Sequence, residues 1–210
     1  MTAKGERRPL ASRQTRWAAA LLRTLLATPV TANALSLIGI LFAVLAGLAL
    51  AAAPARPWLY LLAALGVQLR LLCNMMDGLV AVEGGRGSAV GALYNEAPDR
   101  LEDTAILVGF GYAAAWPELG FVAAILAVFT AYVRMLGGAL GLPQDFRGPM
   151  AKPHRMAAVT LGCILAALEA WIFGTSHALR AILAIVVAGT AWTGLRRLIV
   201  LGRLLRERAP

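Results

Sequence analysis

Charge is scarce in this chain of 210 residues: Asp, Glu, Lys and Arg make up 15% of it, against 60% hydrophobic residues. So little polarity cannot cover a water-facing globule, which argues against a disordered segment, a coiled coil and a nucleic-acid-binding module. Acidic residues are the scarcer sign, eleven against twenty Lys and Arg, for a formal net charge of +9. In a chain with a mean hydropathy of +0.71, that excess is expected in the cytoplasmic loops of a membrane protein. Cysteine is nearly missing as well. Cys73 and Cys163 lie far apart, each inside an apolar stretch, which predicts two buried thiols rather than a disulfide framework or a zinc site.

What the chain has in abundance is long apolar runs. Residues 34–53 contain Ser36 as their only polar side chain, enough to cross a bilayer core. A second stretch, 58–82, is apolar apart from Gln68, Arg70, Asn74 and Asp77. A glycine-rich break at 83–88 leads to a third, 91–116, polar in its first half, followed by stretches at 119–138, 156–174 and 178–195. The expected fold is an all-α integral membrane protein with six transmembrane helices forming a single domain over 1–210. Within residues 1–30, Trp17, Leu21, Leu22, Leu25 and Leu26 share one helical face, the pattern of an N-terminal interfacial amphipathic helix rather than of a cleaved signal peptide. Residues 196–210 read as a basic cytoplasmic tail. With the N terminus inside, fifteen loop Lys and Arg, from Lys4, Arg7, Arg8 and Arg13 to Arg208, face the cytoplasm, and only Arg56 and Arg180 face away. The bias puts both termini in the cytoplasm.

An ionisable side chain inside a membrane span is costly unless paired or solvated, so each one starts as a functional candidate. Asn74, Asp77, Gly78 and Ala81 share one face of the second stretch, and Gly91, Asn95, Asp99 and Asp103 recur every four residues on the third. The short connection between the stretches predicts antiparallel neighbours whose polar faces converge near the cytoplasmic surface. Oxygen-bearing side chains of this kind suit a hard divalent cation, Mg²⁺, Mn²⁺ or Ca²⁺, and Gly78 and Gly91 leave room for a ligand at the backbone. The same residues also fit a plainer role, as helix caps, interhelical hydrogen bonds or partners for Arg70 and Arg100.

The run from Asn74 to Asp99 reads N-x2-D-G-x2-A-V-x8-G-x3-N-x3-D. It resembles the signature of the CDP-alcohol phosphotransferase (CDP-alcohol phosphatidyltransferase) family, D-x2-D-G-x2-A-R-x8-G-x3-D-x3-D. Every interval is kept, with identity at Asp77, Gly78, Ala81, Gly91 and Asp99. The T-A-N-A-L-S lead-in to the first span and the G-P-M-A-K-P-H-R loop before the fifth are also similar, so the resemblance covers nearly the whole chain. It implies phospholipid biosynthesis: an acceptor hydroxyl attacks the lipid-side phosphorus of a CDP-alcohol, usually CDP-diacylglycerol, and CMP leaves. It further implies one or two Mg²⁺ or Mn²⁺ ions, with Asn74, Asp77, Asn95 and Asp99 at the metal, Asp99 as general base, and Gly78, Ala81 and Gly91 against the cytidine nucleotide. No nucleic acid is expected as partner. The bilayer and an alcohol acceptor are, and the alanine- and glycine-rich helices would let two copies pack as a homodimer.

Three positions depart from the pattern: Asn74 and Asn95 stand where it has Asp, and Val82 where it has Arg. Each Asn keeps a carbonyl oxygen and loses a charge, which lowers metal affinity; Glu96 or Glu83 would restore an anionic ligand, and Arg70 or Arg100 the missing cation. A double-Asn pattern with Glu directly after the second Asn is similar to that of a bacterial subgroup, which argues for an altered site rather than random decay; the expected location is a bacterial inner (plasma) membrane. Arg134, Lys152 and Arg155 are the expected phosphate partners, set against a role as plain positive-inside charge. Two other classes stay open on the residues alone, a catalytically silent relative and a small cation transporter. Polar residues gathered at one membrane face, with no inverted repeat, argue against the transporter.

Overall fold

A computed structural model of the protein describes residues 15–208, and every regular element among them is helical. The helices are α1 (Arg16–Leu26), α2 (Ala32–Ala52), α3 (Trp58–Val82), α4 (Gly91–Ala113), α5 (Pro117–Ala139), α6 (Lys152–Phe173) and α7 (His177–Arg208), with a short 3-10 turn at Ala53–Ala55. Five of them, α2, α3, α5, α6 and α7, are long and apolar enough to cross a membrane. Helix α4 has the length but carries Glu96, Asp99, Glu102 and Asp103, and falls outside that set.

Local chemistry sets the boundaries. Thr31 caps α2 by accepting the Ala34 N–H at 3.2 Å, satisfying one of the orphan donors of a helix start. Pro117 and Pro153 occupy first turns, where no N–H is required. Gly174 ends α6 in the left-handed conformation, φ 67°. Pro98 sits inside α4 and withdraws one N–H from its ladder beside the polar stripe.

The helices close into a ring in which α2 packs on α3 and α4, α4 on α5, α5 on α7, α7 on α6 and α6 on α3. Tyr60, Val67, Ile106, Phe110, Met156, Cys163 and Leu183 are buried at its centre. Leu41, Leu48, Leu61, Ile125 and Ile172 point outward and are exposed, as lipid-facing side chains would be. The α2–α4 contact is close because Gly47 and Gly109 face each other: a Cβ on Gly109 would stand 2.6 Å from Gly47 Cα and collide with its carbonyl oxygen. Despite their short connection, α3 and α4 meet along only a brief stretch. The polar faces look at each other across this gap.

Several sequence expectations change. The last helix does not stop near residue 195: α7 runs to Arg208, so most of the expected tail is helix. Arg208 donates to the Leu140 and Gly141 carbonyls at 3.4 and 2.8 Å, and buried Arg197 donates to the Thr130 carbonyl at 2.8 Å. Helix α6 starts at Lys152, which places Lys152 and Arg155 in its first turn instead of a loop. The apolar face of α1 lies on the protein, with Leu22 buried among Met75, Met76, Leu79 and Val80 while Trp17 stays exposed. Both cysteines are buried thiols, as expected. Lys4, Arg7, Arg8 and Arg13, counted toward the orientation, lie outside the described residues, as do residues 209–210.

Candidate active site

Helix α3 presents Arg70, Asn74 and Asp77 on one face, and α4 answers with Asp99, Glu102 and Asp103. The Asn74 amide joins the two rows: Nδ2 donates to Asp99 Oδ1 at 2.7 Å and to Glu102 Oε2 at 3.1 Å. Of the four side chains the sequence expected to converge, Asn74, Asp77, Asn95 and Asp99, the contact between Asn74 and Asp99 is present, whereas Asn95 is exposed. Asp77 is 3% exposed; its Oδ2 accepts the Ser36 hydroxyl at 2.7 Å, and its Oδ1 is buried without a hydrogen-bond partner.

Beneath this seam lies a buried ionic base that the motif did not announce. Arg70, fully buried, donates from Nε to Glu102 Oε2 and from Nη2 to Asp103 Oδ1, each at 2.5 Å. Arg155, 2% exposed, donates from Nη2 to Asp103 Oδ2 at 2.6 Å and from Nη1 to the Met150 carbonyl at 3.2 Å. Arg155 was expected to face a phosphate. It faces Asp103 instead, because a fully buried carboxylate with one cation still has a second oxygen to satisfy. Gly39 on α2 makes room for this base, since a Cβ there would meet Glu102 Oε1 at 2.6 Å. Glu102 was missed in the sequence. The available signal was Arg70, an intramembrane cation one turn before Asn74, which requires a carboxylate on a neighbouring helix.

Around the rim the remaining charges pair. Lys152 Nζ forms an ion pair with Asp99 Oδ1. Glu96, directly after Asn95, is held by Arg134 at 2.6 Å and Arg100 at 3.4 Å, and Arg134 also donates to Gln144 Oε1 at 2.9 Å and lies 5.0 Å from the Phe146 ring centre. Asn95 is exposed at the outer edge and Val82 is exposed. Gly78, Ala81 and Gly91 are half-buried. Arg86, in the α3–α4 connection, donates to the carbonyls of Leu26, Thr28 and Val30 at 2.8, 2.7 and 3.1 Å, tying that connection to the end of α1.

No group of three or more His, Cys, Asp or Glu among the described residues is placed to hold a metal. The seam nevertheless suits one hard cation. Mg²⁺ is commonly held by one or two carboxylates, with waters and substrate phosphates completing its shell, and the unsatisfied Oδ1 of Asp77 is such a donor.

No family model matches the chain. Among curated proteins it is 32% identical over 162 residues to the archaetidylinositol phosphate synthase of Aeropyrum pernix, covering 75% of this chain and 80% of that one. The chain belongs to the CDP-alcohol phosphatidyltransferase family. It is also 30% identical over 148 residues to the inner membrane protein YnbA of Escherichia coli K12, covering 68% and 72% of the two chains. A third relative, the phosphatidylinositol phosphate synthase of Mycolicibacterium smegmatis, matches at 33% identity over 110 residues, 49% of each chain. Two solved structures of the Mycobacterium tuberculosis phosphatidylinositol phosphate synthase share the fold, each with TM-score 0.73. The one in complex with manganese and citrate is 22% identical over 87% of each chain, and the one with CDP-DAG bound is 24% identical over 89% of this chain and 94% of that one. As a CDP-alcohol phosphatidyltransferase, the protein is an integral membrane enzyme of phospholipid biosynthesis that moves a phosphatidyl group from a CDP-alcohol to an alcohol acceptor.

Proposed function

We propose that the donor is CDP-diacylglycerol, that its diphosphate is held at the α3–α4 seam by a divalent cation on Asp77, and that Asp99 is the general base. The observation that carries this is the unsatisfied Asp77 Oδ1 in a buried seam beside Asp99, on the spacing of the family signature. Mg²⁺ or Mn²⁺ would supply charge neutralisation at the phosphate oxygens, most of what phosphoryl transfer asks of a catalyst. The chain supplies the rest. The acceptor hydroxyl oxygen bonds to the lipid-side phosphorus, the bond from that phosphorus to the bridging oxygen breaks, and its electron pair leaves with CMP. The hydroxyl proton passes to Asp99, whose Oδ1 the Asn74 amide already fixes at 2.7 Å.

Asn95 at the rim is the outer oxygen donor of the seam, and Gly78, Ala81 and Gly91 border the nucleotide. Glu96, spent on Arg134 and Arg100, orients those cations rather than binding metal. Arg134, oriented by Glu96, is the cation set toward a phosphate group, Lys152 is engaged at Asp99, and Arg155 positions Asp103. The names of two relatives support a phosphorylated polyol as acceptor. Helix α4, wet at its seam, completes six spans, both termini face the cytoplasm, and the membrane is a bacterial inner membrane. Two copies pack as a homodimer through the small residues of their helices.

The test is release of radiolabelled CMP from CDP-diacylglycerol by the purified protein in detergent, with inositol 1-phosphate and glycerol 3-phosphate in parallel arms and Mg²⁺ or Mn²⁺ present. Release that needs the metal and an acceptor, is greater with inositol 1-phosphate, and falls at least ~100-fold in Asp99→Asn is expected. No release with either acceptor contradicts the donor assignment, and release favouring glycerol 3-phosphate contradicts an inositol phosphate as the acceptor.

A further inference from the structure

Asp77 differs from every other carboxylate of the seam. Glu96, Asp99, Glu102 and Asp103 each have an ion-pair partner. Asp77 has none, and one of its oxygens is buried and unsatisfied. The four paired carboxylates are neutralised by the protein's own Arg70, Arg100, Arg134, Lys152 and Arg155. Glu102 Oε1 is also buried without a hydrogen-bond partner, but the other oxygen of that carboxylate holds Arg70; among the described residues of the seam, Asp77 is the carboxylate with no ion-pair partner, open to a cation from solution.

The two departures from the signature act in the same direction. Two carboxylates at positions 74 and 99, with oxygens as near as Asn74 Nδ2 and Asp99 Oδ1 are at 2.7 Å, would repel unless a cation lay between them. An amide at 74 removes that need, because it donates its own hydrogen bond. The Asp99 oxygen that accepts this bond also receives the ammonium of Lys152, on a side chain 22% exposed at the start of α6. Hydrogen-bond donor and positive charge at Asp99 are thus both supplied by the chain.

We propose that Lys152 is the second cation of this site: its ammonium holds the Asp99 position, and the protein binds a single divalent ion, at Asp77. This rests on the reading of the seam as the site of metal-assisted transfer and deepens it. With the negative charges of the signature absent at Asn74 and Asn95, less anionic charge remains to hold a second divalent ion, and the ammonium beside Asp99 stands in that ion's place, holding the carboxylate whether or not metal is present. Arg100 lies 3.4 Å from Asp99 Oδ2 and Arg70 3.9 Å from Oδ1, but Lys152 is the cation in closest contact with Asp99, so its exchange for a neutral side chain, together with a carboxylate at position 74, opens the Oδ1 side to a second ion.

The experiment is a Mn²⁺ titration of the detergent-purified full chain, counting bound ions by the loss of the free-Mn²⁺ electron paramagnetic resonance signal. One ion per chain is expected for the wild type and for Lys152→Arg, and two for the double variant Lys152→Met with Asn74→Asp. Lys152→Met alone, which changes no oxygen donor, is expected to bind Mn²⁺ more than ~10-fold more tightly, because a like charge next to the site has gone. It guards against a double variant that does not fold. Two ions in the wild type, or an unchanged affinity in Lys152→Met, overturns the inference and leaves the proposed function standing. No bound ion in the wild type overturns both.

Discussion

Arg70→Met tests the ionic base on which the seam stands. Arg70 and Glu102 are both fully buried and joined at 2.5 Å. Their removal from one another is not symmetric with the loss at Asp103, which keeps Arg155 at 2.6 Å. Glu102 keeps only the shared Asn74 amide at 3.1 Å, so the substitution leaves one carboxylate buried without a cation. Breaking a buried pair in this way costs about 3–5 kcal/mol, and a chain of this size loses roughly 2–4 °C of Tm per kcal/mol. The expected drop is on the order of 10 °C, measured by thermal unfolding of the purified protein in one detergent. Adding Glu102→Gln to Arg70→Met removes the stranded charge, so most of that loss should return, with a coupling of about 2 kcal/mol across the double-mutant cycle. A Tm within ~2 °C of wild type for Arg70→Met, or strictly additive losses, would refute the idea that these residues form one electrostatic unit.

Two further outcomes follow from the packing. Gly109→Ala places a methyl against the backbone of Gly47, which cannot rotate away; a loss of about 1–3 kcal/mol is expected from overpacking, visible as a lower Tm with metal binding retained. Arg86→Ala removes a guanidinium that holds three carbonyls at the α1–α2 connection. Because α1 otherwise rests on the protein through one apolar face, hydrogen exchange in residues 16–26 should speed up at least ~10-fold while α5 and α7 keep their protection.

The helical architecture was legible because long apolar runs admit few alternatives in a membrane, and the runs at 34–53 and 58–82 match α2 and α3 closely. Helix ends were less so. The Arg-rich stretch after residue 195 looks like a tail by charge, yet Arg197 and Arg208 find backbone carbonyls on neighbouring segments, and α7 continues through them. In the seam, the spacing put Asn74 and Asp77 on one helix face and Asp99 on the helix opposite, since the three- and four-residue periodicity of a helix face survives in any helical context. It could not show that Arg155 turns inward, because Lys152 and Arg155 share the same first turn and only the position of Asp103 on another helix decides which of them is buried. Glu102 and Ser36 were passed over for the same reason: each acts on a residue distant in sequence, Ser36 on Asp77 and Glu102 on Arg70.

The central claim is that the protein's chemistry sits at Asp77 and requires a divalent ion there. Its most direct test is binding of CMP to the detergent-purified chain as a function of Mn²⁺, by calorimetry, in wild type and in Asp77→Asn. The account predicts CMP binding that appears only with Mn²⁺ and weakens at least ~10-fold in Asp77→Asn, since the neutral amide halves the carboxylate pair offered to the ion. Equal CMP affinity with and without Mn²⁺, or an Asp77→Asn protein that binds as the wild type does, would contradict it.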